Sequence, residues 1–90
     1  MPTKRVSKQK SSYIYHIDAK YRDYPNTNKD KAIISMARAS GGKFEGSGMG
    51  FGYRDLGFLF KSRADATRFI NKLKANRIRR SGISDWSKYM

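Results

Sequence analysis

The chain has 90 residues, no cysteine, and 20 lysines and arginines against 7 acids, a formal net charge of +13 with a pI near 10.4. That length is one small domain with a modest core, and the missing thiols exclude disulfides, thiolate catalysis and cysteine-ligated metals. Such an excess of cations attracts polyanions: nucleic acid first, with acidic proteins and anionic membrane surfaces as competitors.

Residues 1–12, MPTKRVSKQKSS, carry Lys4, Arg5, Lys8 and Lys10, no acid, and only Met1 and Val6 as sizeable apolar groups. They read as a disordered basic arm. No stretch is apolar for the length of a signal peptide or a membrane span, so the expectation is a soluble, intracellular (cytoplasmic) protein that makes no use of a membrane. Residues 13–84 are expected to form a single domain, with 85–90 as a C-terminal tail.

Over 13–21, Tyr13, Tyr15, Ile17, Ala19 and Tyr21 alternate with Ile14, His16, Asp18 and Lys20, the period of a half-buried strand. Pro25 and two asparagines then mark a loop. Thr27 with Asp30 matches a capping box, and Ile33, Ile34, Met36, Ala37 and Ser40 form the stripe of a helix that Gly41 and Gly42 end. The following KFEGSGMGFGYRDLGFLF predicts a hairpin. With Arg54 and Asp55 at its tip, Tyr53 faces Leu56, Phe51 faces Phe58 and Met49 faces Phe60, leaving Gly46, Gly48, Gly50, Gly52 and Gly57 together with Leu59 on the other face. Ser62 with Asp65 is a second capping box, opening a helix with the stripe Ala66, Phe69, Ile70 and Leu73. After Asn76, RIRRSGIS suits a short edge strand through Ile78 and Ile83 with Gly82 as a bulge.

The order β-α-β-β-α, with room for a final short strand, is that of an α+β ferredoxin-like or truncated split βαβ domain. Its antiparallel sheet carries two helices on one face and leaves the other face open. FLFKSRADATRFINKL, residues 58–73, is similar to the third strand and second helix of RNA-recognition motifs at Phe60, Ala66, Phe69, Ile70 and Leu73. Ile14, Tyr15 and Ile17 resemble that family's other short motif, so about a third of the chain is covered. The resemblance implies the ferredoxin-like fold and RNA binding, but at the two positions where the family stacks bases this chain has Asp55 and Gly57, so that strand lacks the usual stacking platform. The hairpin GSGMGFGYRDLGF also resembles short basic bacteriophage proteins of unassigned role, which implies a virus-encoded protein and no particular activity.

Two basic clusters are candidate phosphate contacts: Lys4, Arg5, Lys8 and Lys10 in the arm, and Lys72, Lys74, Arg77, Arg79 and Arg80 around the end of the second helix. A solvated helix end accounts for the second cluster equally simply, because cations suit a helix C-terminus. The open sheet face is a further candidate, through His16, Asp18, Lys20, Gly48, Gly50, Gly52, Gly57 and Leu59. Its bare glycine strip admits a polyanion or a protein surface at backbone distance, unless the chain's own Trp86 and Tyr89 or a second copy cover it. A phosphate-cradling loop does not fit the relevant template, since a strand follows the glycines instead of a helix and no Gly-Lys-Ser/Thr ends them. His16 is the single histidine; beside Asp18 and a lysine it offers a bare acid–base constellation, and an exposed histidine near a solvated aspartate is the simpler account. No metal site or cofactor is indicated. The sequence therefore predicts a non-enzymatic basic protein that binds RNA or single-stranded nucleic acid mainly through phosphates. Its rivals are a small protein that modulates a host or viral protein complex through an acidic partner, and a ribonucleoprotein component. A homodimer through the open face or an edge strand is compatible with each.

Overall fold

The computed structural model of the chain describes residues 13–22 and 26–86. The basic arm, Pro25 and Tyr89 lie outside the described residues. In chain order come β1 (Tyr15–Arg22), α1 (Thr27–Ala39), β2 (Lys43–Gly50), β3 (Tyr53–Phe60), α2 (Arg63–Ala75), β4 (Arg79–Arg80) and β5 (Ser84–Asp85). The strands lie in the order β2-β3-β1-β4, with β5 also on β1, and every pairing is antiparallel. β3 is thus inserted between β1 and β2, and β1 between β3 and β4, which is the ferredoxin-like arrangement. No described helix is long and apolar enough to cross a membrane.

Alternation along β1 buries Ile17, Ala19 and Tyr21 and leaves Lys20 and Arg22 exposed. Leu56, Phe58 and Phe60 of β3 share that buried face, and both helices cover it, α1 through Ile33 and Ala37 and α2 through Ala66, Phe69 and Leu73. Phe69 is the contact that seats α2. Its ring centroid lies 5.0 Å from that of Phe58 in an edge-to-face pose and 5.3 Å from that of Phe60.

Both helix starts differ in detail from the expected capping boxes. α1 is capped by Asn26, one residue before Thr27, and the Asn26 side chain accepts from the backbone N–H of Asn28 and Lys29. Asp30 is thereby released for tertiary contacts. At α2 half of the box forms: Ser62 Oγ accepts from Asp65 N at 3.1 Å, while the Asp65 carboxylate turns to Arg68.

The two helices end in the same way on different residues. In α1, Gly41 N donates to Arg38 O and Gly42 N to Ala37 O; in α2, Arg77 N donates to Lys74 O and Ile78 N to Leu73 O. Each is a Schellman motif with a left-handed residue just past the cap, glycine at 41 (φ +91) but arginine at 77 (φ +57). Gly42 has a separate steric reason, since a Cβ there would lie 2.3 Å from the Phe60 ring.

The hairpin turns at Phe51-Gly52, not at Arg54-Asp55. Gly50 pairs with Tyr53, Met49 with Arg54 and Ser47 with Leu56. Both turn residues have positive φ, 53° and 80°, as a two-residue primed turn requires. Leu56, Phe58 and Phe60 still face inward. Tyr53, however, moves to the open face, Gly52 leaves the strand for the turn, and Phe51 stands in solvent at 104 % relative exposure. A bulge between Phe44 and Gly46 completes the register. Without it Glu45 would oppose Phe58; with it Phe44 does, at a ring separation of 5.6 Å.

The expected last strand is present in two pieces. Lys20 pairs with Arg79 and His16 with Ser84, four steps along β1 against five along its partner, so one extra residue is accommodated around Ser81–Ile83. Ser81 bridges the irregularity: its Oγ accepts from Asp18 N and its N–H donates to Asp18 O, both at 2.9 Å. Pairing runs past residue 84, as Trp86 N donates to Ile14 O at 2.8 Å.

Truncating the seat of α2 tests this packing. Phe69→Ala is expected to cost about 3–5 kcal/mol of unfolding free energy, read from the urea midpoint; a loss below about 1 kcal/mol would mean that the helix is held elsewhere.

Candidate nucleic-acid interface

The open sheet face divides into two regions. At one end, His16 Nε2 lies 3.5 Å from Asp18 Oδ1 and 3.2 Å from Glu45 Oε1, and the imidazole stacks on Trp86 with ring centroids 4.4 Å apart. Gly57 lies beneath them and is buried. A Cβ there would lie 3.2 Å from both Glu45 Oε1 and His16 Nε2, so the glycine lets these groups close over the strand. Among the described residues no group of three or more metal-ligating side chains is arranged to hold an ion. Trp86 therefore covers the His16 end of the face, but the glycine strip stays bare: a Cβ on Gly46, Gly48 or Gly50 would meet nothing within 4 Å.

At the other end the sheet edge opens into a cleft of about 490 Å³. It exists because β4 is only two residues long and reaches β1 no further than Lys20, so no described strand covers the outer edge at Tyr21 and Arg22. Ala32, Ile33 and Met36 of α1 with Ile78 form its apolar floor. Lys20, Arg22, Lys29, Arg77 and Arg79 line it with Tyr21, Tyr53 and Asn76, and among the described residues no carboxylate lines it. The Arg79 guanidinium sits 5.3 Å from the Tyr53 ring centroid and Lys29 Nζ 5.2 Å from that of Tyr21. Lys20 has an acid within reach from outside the lining, Asp55 Oδ1 at 3.9 Å, where that oxygen makes no hydrogen bond.

Tyr21 and the start of α1 are pinned by a small polar network behind the cleft. Tyr21 Oη accepts from Asn26 N and donates to Asp30 Oδ1, both at 2.7 Å, and Arg54 Nη2 donates to Asp30 Oδ2 at 2.9 Å. The Asp30 and Arg54 side chains are only 16% and 17% exposed. Burial alone would raise the Asp30 carboxyl, but the hydrogen bonds from Arg54 and Tyr21 and the guanidinium charge outweigh it and hold the carboxyl below the ordinary range. Burial, reinforced by Asp30, pushes the Tyr21 phenol up against the lowering effect of the Asn26 N–H and Arg54.

The structure separates the residues that adjacency in sequence had grouped. Of the basic cluster around the end of α2, Arg77 and Arg79 join the cleft, whereas Lys72, Lys74 and Arg80 do not line it, and Arg80 Nη1 donates to Ile78 O. Lys4, Arg5, Lys8 and Lys10 lie outside the described residues. His16, Asp18, Lys20, Gly48, Gly50, Gly57 and Leu59 do share the open face, and Gly52 does not. Asp55 and Gly57, in place of stacking aromatics, are engaged by Lys20 and by the His16 cluster. An aromatic reaches that face two positions earlier, at Tyr53. Arg22, Lys29 and Tyr53, with Tyr21 and Asn76, are the polar cleft residues that the sequence reading did not count as site residues. Arg22 was visible as the next even position after Lys20, while Tyr53 needed the hairpin register and Lys29 the packing of α1 on the sheet. Compared with protein-family models, curated proteins and solved structures, the chain matches none.

The Asp30 network yields a pH test. An unfolded aspartate titrates near about 3.9, and the folded carboxyl titrates lower, so its contribution is complete above the unfolded value and is lost as pH falls through the folded one. Asp30→Asn is expected to cost about 1–3 kcal/mol at neutral pH. The gap between wild type and variant should close on acidification below about pH 4; a gap unchanged down to roughly pH 2 would refute the assignment.

Proposed function

We propose that the protein is a non-enzymatic nucleic-acid-binding module that grips the phosphates of a single strand in the β1-edge cleft. The observation that carries this reading is the lining itself: among the described residues it brings five cations and two tyrosines, and no carboxylate, around an apolar floor. Clustered cations repel one another and are relieved by a polyanion that displaces their counterions. Arg77 adds weight. It occupies the left-handed position that α1 gives to glycine, a conformation disfavoured for residues with a Cβ. The fold alone would be better served by glycine, and what arginine adds there is a guanidinium at the cleft. Tyr53 offers a ring face that only an unpaired base can reach, which favours RNA or single-stranded DNA over duplex. Contacts to phosphate and ring faces carry little sequence information, so specificity is expected to be weak. His16 is engaged by Asp18, Glu45 and Trp86 and does not line the cleft.

A second reading rests on β2, which among the described residues pairs on one side only, with β3. Its free edge and bare glycine face suit strand addition by an acidic protein partner or a second copy.

Binding of a labelled oligonucleotide should weaken with salt at a log–log slope of about −2 to −3.5, about −0.7 per neutralised phosphate for three to five contacts. The pair Arg22→Glu and Arg79→Glu should lose at least roughly tenfold in affinity at low salt, and Lys72→Glu with Lys74→Glu distinctly less. Equal losses would remove the cleft as the site, and no binding at low salt would remove the reading. Arg77→Gly separates function from fold: it should weaken binding while holding or raising stability, by up to about 1 kcal/mol. If oligonucleotides fail, sedimentation and partner capture from nuclease-treated extract test the β2 reading, and a monomer that captures no acidic protein would remove it.

A further inference from the structure

Phe51 is the second residue that is left-handed without being glycine, at φ 53°, and it is fully exposed. The first central position of a two-residue primed turn favours asparagine, aspartate or glycine, and a bulky aromatic there is a conformational outlier. Phenylalanine buries nothing in return, so the fold gains nothing from it. Its surroundings point outward as well. Gly50 and Gly52 flank it, and a Cβ on Gly48, Gly50 or Gly52 would meet nothing within 4 Å. The ring therefore stands at the end of a strip of bare backbone. Two residues on is Tyr53, which lines the cationic cleft, with Arg22 opposite it in register and Arg79 against its ring. From Gly46 to Tyr53 there is no charged side chain to keep a partner's apolar group away.

We propose that Phe51 is a base-stacking wedge: it lies against an unpaired nucleobase of the strand whose phosphates the neighbouring cleft holds, while the glycine strip lets that strand approach to backbone distance. This rests on the nucleic-acid reading and adds the base-dependent half of the interaction. The occupant is chosen by charge and by size. The adjoining cleft is cationic, and one ring flanked by glycines matches the face of a single base, whereas insertion into a bilayer calls for a larger apolar surface than Phe51 and the half-exposed Met49 provide.

Phe51→Asn is the informative variant, because Asn-Gly is the preferred sequence for this turn and the fold should be kept or strengthened. Two single-stranded oligonucleotides of equal length and phosphate number are compared, one with bases and one fully abasic. Wild type should bind the base-containing strand roughly tenfold more tightly. The variant should lose most of that preference, keeping only the share that Tyr53 supplies, bind the abasic strand as wild type does, keep the same salt slope and melt no lower. Wild type that binds both strands equally, or a variant that retains the preference in full or loses affinity equally for both, would overturn the wedge and leave the phosphate contacts of the cleft reading standing. Wild type that binds neither strand at low salt overturns both. Binding of wild type, but not of the variant, to phosphatidylserine vesicles, with no base preference, would assign the ring to a lipid surface instead.

Discussion

The seating of Phe69 against Phe58 and Phe60 is the contact on which the rest of the molecule depends. It decides which face of β3 is buried. Side chains alternate along a strand, so Tyr53, Asp55, Gly57 and Leu59 must then face away from the helices, and pairing brings His16, Asp18, Lys20 and Arg22 of β1 beside them. Every group on the open face owes its position to that parity. The bulge at Glu45 is a consequence, since it lets β2 place Phe44 over Phe58 and keeps a carboxylate out of the core.

A second constraint shapes the cleft. β4 pairs with β1 at two positions and then yields to Ser81, so no described strand covers the outer edge at the end of β1, between α1 and the turn after α2. That turn is set by a Schellman motif whose left-handed residue is Arg77, and the hairpin beside it by a primed turn whose left-handed residue is Phe51. At the corresponding point of α1 the chain uses Gly41. Within one molecule the left-handed positions are glycine at 41 and 52, but arginine at 77 beside the cleft and phenylalanine at 51 in solvent. Two local conflicts with backbone preference thus mark the surface for which a ligand is proposed.

Much of the fold was legible because it rests on local patterns. The period-two run through Ile17, Ala19 and Tyr21 and the helical stripe through Ala66, Phe69 and Leu73 each identify an element and its buried side without reference to anything distant. The hairpin register was less accessible. Pairing Phe51 with Phe58 and Met49 with Phe60 satisfies alternation, but so does any register of the right parity, and the choice falls to the turn, where Gly52 supplies a positive φ that Arg54-Asp55 would not. The candidate site was legible only in fragments. Its residues come from β1, α1, β3 and the segment after α2, and the basic run that looked like one cluster is divided because Arg79 and Arg80 alternate to opposite faces of the sheet.

By itself the sequence determined the charge, the α+β element order, the inward faces of β1 and β3 and the glycine stop of α1, because each depends on composition or on spacing over a few residues. Only the tertiary structure decided that Arg22, Lys29, Tyr53, Arg77 and Arg79 share one cleft, that Trp86 closes over His16, and that Phe51 is left in solvent. Those outcomes depend on which residues meet across strands and between layers, and no short-range periodicity encodes that.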